Sequence, residues 1–211
     1  MKKMFVSSLA AIFLALLIPG LALALDPPSP NILGLYEFSD GTGATGSSEI
    51  GTPVTVYLVL NNPADEQNGD APYPSINAFE CMLSFNPPGN LFLLSAQLPP
   101  GAGDDFEPQD IGSGFLEYTV GLASNYAVTD ASVVLITFSF MHTSPGNIQV
   151  GLGPTTNSAI PGEMAFQSVV GDLRVMHPYD NPLFDGFQFL FGRIGLAVEN
   201  ESFGSVKALY R

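Results

Sequence analysis

Few residues of this 211-residue chain belong to types that do covalent or metal chemistry. There is one cysteine, Cys81, and there are two histidines, His142 and His177. A cysteine nucleophile needs a neighbouring histidine or a helix N-terminus to lower its pKa. Cys81 instead lies in SINAFECMLSFNP, residues 75–87, where Phe79, Cys81, Leu83 and Phe85 alternate onto one strand face. In that phase the thiol is a small core hydrophobe. Two histidines and one cysteine are poor material for zinc, and no pair has His-x-x-x-His spacing. Ser113 sits in Gly-Ser-Gly with no Gly-x-Ser-x-Gly elbow around it. A glycosidase needs two facing carboxylates, and the spacing of the twenty acids singles out no pair. The expectation is therefore a non-enzyme with no catalytic residues.

Carboxylates are the one abundant chemical resource. Asp104, Asp105, Glu107 and Asp110 crowd one loop, and Asp65, Glu66 and Asp70 another. Calcium takes six to eight oxygens from such groups, so the first four are the calcium candidates and no other cofactor is expected. Neither loop has EF-hand register, and a solvated acidic loop accounts for the same residues.

Aromatic side chains offer a second kind of site. Sugar platforms commonly use Trp and Tyr on a flat face, and this chain has seven Tyr and no Trp. Tyr57, Tyr118, Phe187, Phe189 and Phe191 are the aromatic binding candidates. A Phe row at period two also suits a core, and Tyr57 points outward if Val56 and Leu58 point in.

The elements that must position these residues are strands. Val54, Val56, Leu58 and Leu60 share one face of their run, and Leu116, Tyr118, Val120 and Leu122 do the same. Val134, Ile136, Phe138 and Phe140 alternate with Leu135, Thr137 and Ser139. Ile148–Leu152 and Phe187–Phe191 are shorter strand patterns. Gly and Pro punctuate these runs, and Thr143–Asn147 suits a hairpin turn. Short turns or one small helix fit near Ala131 or in Ser202–Tyr210. Many short strands with little helix argue an all-β sandwich.

The first 24 residues have the layout of a secretory signal peptide: Lys2 and Lys3, an apolar run from Met4 to Ile18, then Ala22-Leu23-Ala24. The apolar run is shorter than the ~20 residues of a membrane span. Cleavage after Ala24 leaves residues 25–211, enough for one domain with its own core. The expected location is secreted, periplasmic or cell-surface, by bacterial export. One cysteine makes no internal disulfide, so burial must hold the fold. Six Lys and Arg stand against twenty Asp and Glu, a formal net charge of −14. No Lys or Arg occurs from Leu25 to Leu173. The charge therefore argues against a nucleic-acid partner and disfavours an anionic membrane surface. The acidity suits solubility, cations or a basic partner.

The strand order over Gly51–Pro154 resembles the cohesin-like β-sandwich family, relatives of carbohydrate-binding sandwiches of jelly-roll type. The resemblance rests on PVTVYLVLNNP, INAFECMLSFNP, LFLLSAQLP and SVVLITFSFMHTSPGNIQVGLGP. Ser75 stands where the family has Gly, and Phe85-Asn86 where it has Tyr-Asp. Residues after 162 have no counterpart and are expected to add strands or cover an end. The resemblance implies a non-catalytic binding or structural module with an extracellular protein partner. The alternatives are a carbohydrate-binding module and, behind it, a secreted hydrolase. Recognition would use a sheet face or an exposed edge.

Overall fold

The computed structural model describes residues 29–43, 48–102, 111–182 and 186–192. They form twelve strands: β1 (Ile32–Tyr36), β2 (Pro53–Asn61), β3 (Ala64–Asp65), β4 (Ala71–Pro72), β5 (Ser75–Asn86) and β6 (Leu91–Gln97) come first. Then follow β7 (Phe115–Ala127), β8 (Ser132–His142), β9 (Ile148–Gly153), β10 (Met164–Ser168), β11 (Leu173–Pro178) and β12 (Phe189–Phe191). The helical content is two single turns, Glu66–Asn68 and Ile111–Ser113. Residues 1–24, read as a signal peptide, and Ser202–Tyr210 lie outside the described residues.

Two layers result. One sheet runs β1-β2-β8-β6. The other is organised by β5, which pairs with β7 along one side. Along its other side β5 meets β10 over its first half and β9 over its second. Strand β11 extends from β10, and β12 from β9. All pairings are antiparallel except β1–β11, a short parallel contact (Ile32 with His177, Leu33 with Pro178) that seams the layers along one side. The all-β sandwich expected from periodicity is the observed architecture, and β10, β11 and β12 lie after residue 162.

The core is the space between the layers. From one sheet come Leu33, Leu35, Val56, Leu58, Phe138 and Phe140; from the other come Phe79, Cys81, Leu83, Tyr118, Phe166 and Phe191. Phe140 stands in the middle of an aromatic group, with ring centroids 6.0 Å from Phe85, 5.2 Å from Phe138 and 5.2 Å from Phe191. Offset and edge-to-face rings of this kind add to the stabilisation from buried area.

Two expectations need correction. Thr143–Asn147 is not a hairpin turn: β8 pairs with β2 and β6, whereas β9 pairs with β5 and β12, so the turn carries the chain from one layer to the other. Turn residues specify a reversal, and burial decides which neighbour the next strand finds. The strict alternation in β8 also breaks. Leu58 faces Ile136 but Val59 faces Val134, so Leu135 is the extra residue of a bulge. Val133, Leu135 and Ile136 are buried, and Val134 is half-exposed.

Candidate functional site

The candidate nucleophile is out of play. Cys81 is fully buried in β5 opposite Tyr118 of β7. Burial, with a smaller contribution from Glu80, pushes its thiol up to about 12, so it stays protonated at neutral pH. Burial also raises Tyr118, whose ring packs edge-on to Phe138 at 5.6 Å.

A serine–histidine contact that sequence spacing did not suggest lies at the end of β8. The Oγ of Ser48 is 3.2 Å from Nδ1 of His142 and accepts from the amide of Gly192 at 2.9 Å. His142 is 2% exposed, and with Ser48 it lines a cavity of about 500 Å³. Ser48 thus ties the end of β8 in one sheet to the residue after β12 in the other.

Of the aromatic candidates, Tyr118, Phe189 and Phe191 are in the core, so they offer no face to a sugar. Their alternation reports the inward side of a strand. Phe187 is half-buried ahead of β12, which begins only at Phe189. Tyr57 alone lies on an outer sheet face, half-buried beside its cross-strand partner Tyr36.

The calcium candidates Asp104, Asp105, Glu107 and Asp110 lie outside the described residues. Among the described residues no three His, Cys, Asp or Glu side chains gather as metal ligands. The second acidic loop has other work. Asp65 caps the Glu66–Asn68 turn, taking hydrogen bonds from the Gln67 amide at 3.1 Å and Asn68 Nδ2 at 2.5 Å. It also takes Arg174 Nη2 at 2.9 Å. These bonds, with Asn68 the largest, hold the Asp65 carboxyl below its ordinary value against the opposing effect of burial. Glu66 meets His177 at 3.1 Å. The loop is pinned to β11 by its carboxylates.

The two outer faces differ. On the β5 sheet, Glu80 is 6% exposed and accepts from the Ala159 amide at 2.6 Å. Glu117 accepts from the Thr156 amide at 2.8 Å and from the Thr156 hydroxyl. Charge-assisted bonds of this kind are the stronger ones, and here they lay the segment after β9 over that face. On the β1-β2-β8-β6 sheet no such segment is laid over the face by the described residues, apart from Tyr179 against Tyr36 at the β1 side. Directly paired residues share a face, so the register gives its rows. Thr55, Ser139 and Ser95 form one, and Tyr57, Thr137 and Gln97 the next. Pro53, Met141 and Phe92 make an apolar row at the end of the sheet.

Strand β6 ends this sheet. Among the described residues it pairs only with β8. Phe92 is 58% exposed and Leu94 44%. Leu94 is the extra residue of a bulge between Leu93 and Ser95, while Leu91 is buried and Leu93 packs on the core. The signal was present in Leu91-Phe92-Leu93-Leu94, which is apolar on both phases. A strand with one buried face needs apolar residues on only one.

No protein-family model matches the chain, and no curated protein matches it. Its structure is similar to solved cohesin modules. A non-cellulosomal cohesin from the archaeon Archaeoglobus fulgidus is 11% identical, with a TM-score of 0.46 over 82% of this chain and 97% of that one. A type II cohesin domain from the cellulosome of Acetivibrio cellulolyticus is 12% identical, with a TM-score of 0.47 over 72% and 92%. The third ScaB cohesin of R. flavefaciens, solved in complex with a group 1 dockerin, is 12% identical, with a TM-score of 0.41 over 79% and 99%. No helix among the described residues is long and apolar enough to cross a membrane.

Proposed function

We propose that the chain is an exported, non-catalytic module that recognises a protein partner at the β6 edge. An extended segment of the partner pairs with the open side of β6, and its apolar side chains cover Phe92, Leu94 and Met141. The observation that carries this reading is that edge: a terminal strand with two large exposed apolar side chains, on the sheet face that the described residues leave bare apart from Tyr179. Soluble proteins usually blunt such edges with charge, proline or a cover. β-strand addition draws affinity from backbone pairing and specificity from alternate side chains. The net charge of −14 favours a segment flanked by Lys or Arg. The layout of residues 1–24 supports export of residues 25–211 as one domain. The enclosed thiol of Cys81 supports a role without catalysis.

The test is peptide selection. A random peptide library is panned on the full chain, and the enriched peptides are then titrated against it and against a Phe92→Asp, Leu94→Asp double variant whose far-UV circular dichroism matches the wild type. Enriched peptides with alternating apolar residues and basic flanks are expected to lose binding about 100-fold to the variant. Peptides that bind both proteins equally would refute the proposal.

A further inference from the structure

At the far end of the bare face, about 30 Å along β8 from Phe92 at ~3.3 Å per residue, lies a cleft of about 690 Å³. Its floor is aromatic. Gly34 has no side chain, and the Tyr36 ring lies back over it, so that a Cβ at Gly34 would come within 2.5 Å of Tyr36 ring carbons. The ring reaches the far end of β2, where its Oη accepts from Asn61 Nδ2 at 3.1 Å. Tyr179 follows β11, with its amide bonded to the Leu33 carbonyl at 2.8 Å. Its ring meets that of Tyr36 at 5.7 Å between centroids and 49° between planes. Tyr36 is 3% exposed, so Tyr179 is the accessible ring and Tyr36 its backing.

The rim is polar and held by backbone. The Asn62 amide donates to Ala131 O at 2.7 Å, and the Asn31 amide to Asn62 O at 3.0 Å. Asn62, Asp130 and Ala131 hold φ of 49°, 51° and 61°. That region is costly for alanine in particular. Around the opening stand amides (Asn61, Asn62), hydroxyls (Thr42, Ser132) and three carboxylates, Asp40, Asp130 and Asp180. Asp40 is engaged by the Thr42 amide at 3.0 Å and hydroxyl at 2.6 Å.

The chemistry of this lining narrows the ligand. No Lys, Arg or His lines the cleft among the described residues, so a phosphate or sulfate would meet carboxylates with no counter-charge. The carboxylates do not gather on one point as metal ligands. An organic cation would use the acceptors and the ring but would leave the amide and hydroxyl donors unmatched. Vicinal hydroxyls of a sugar both donate and accept, and the apolar face of the sugar ring stacks on an aromatic. The volume falls within the range of ordinary small-ligand sites. We infer that this cleft is a binding site for a neutral saccharide, separate from the β6 edge, with Tyr179 as the stacking ring and Asn61, Asn62, Asp130 and Ser132 as hydroxyl partners.

The experiment is titration calorimetry of the full chain with cellohexaose, xylohexaose and mannohexaose. At least one should bind, with an affinity unchanged between about 0.05 M and about 0.5 M NaCl, because an uncharged ligand is not screened. Tyr179→Ala should weaken it about tenfold. Asp130→Asn should weaken it several-fold, and asparagine tolerates the left-handed φ as well as aspartate does, so this variant does not depend on refolding of the turn. Three results would each overturn the assignment: no heat from any of the three sugars, binding that both variants leave unchanged, or binding only of hexalysine that vanishes at high salt.

Discussion

Replacing Gly34 by alanine tests the aromatic floor through stability alone. Its backbone is ordinary strand, where alanine is normally the better residue by about 0.5–1 kcal/mol. Here the new Cβ would lie 2.4 Å from Tyr36 Oη and 2.5 Å from two ring carbons. No real contact is that short, and a phenol ring cannot bend aside, so Tyr36 must swing out as a unit. That exposes a side chain now 3% accessible, a cost of about 2–3 kcal/mol by analogy with other large apolar groups. Losing the Asn61 hydrogen bond costs about 1 kcal/mol more. Set against the alanine gain, Gly34→Ala should destabilise by about 2–3 kcal/mol. Urea unfolding followed by far-UV circular dichroism should show a lowered midpoint at unchanged slope. The decisive arm is a double-mutant cycle. In a Tyr36→Ala background the space over residue 34 is empty, so Gly34→Ala should be neutral or stabilising there, with a coupling of about 3 kcal/mol. Gly34→Ala at or above wild-type stability, or additive effects in the cycle, would refute the packing argument.

Two further predictions concern pH. Cys81 should resist an aromatic disulfide reagent in the folded chain and react once urea unfolds it. Cys81 and Tyr36 both have folded pKa values raised to about 12, from 9.0 and 10.0, so their contribution is fully present below about pH 9 and is lost as pH climbs toward 12. Cys81→Ala should flatten the lower part of that alkaline decline, and a decline of unchanged shape would count against burial as its cause. Asp65 has the opposite sign. Its lowered pKa means that its contribution is present above the ordinary carboxylate value of 3.8 and is lost as pH falls through the folded value. Asp65→Asn should make the acid limb of stability shallower, and limbs that superimpose would show that the cap and the Arg174 contact carry no linkage.

Much of the inner face was legible because a strand with one buried side must alternate. Phe79, Cys81, Leu83 and Phe85 point inward as their spacing requires, and that same spacing removed Cys81 from the list of nucleophiles. Alternation failed where a bulge inserts a residue, as at Leu135 and Leu94, because the extra residue reverses the phase without leaving a mark in composition. It also misdirected the aromatic candidates, since inward and outward aromatic rows have the same period. Phe189 and Phe191 proved to be core, whereas the exposed Phe92 and the half-buried Tyr179 stand in segments of weak or broken pattern.

By itself the sequence determined what depends on local residue order and on totals. These are an all-β chain, an inert thiol by phase, and an acidic composition unsuited to phosphate. Tertiary structure decided everything that needs two distant segments side by side. Asp65 finds Arg174 across 109 positions, and Glu80 finds Ala159 across 79. Tyr36 meets Tyr179 only because β11 runs beside β1. Gly34 reads as a weak strand residue until the Tyr36 ring is seen lying over it. Strand partners are chosen by which faces can be buried together, a global sum over the whole chain that no short window contains.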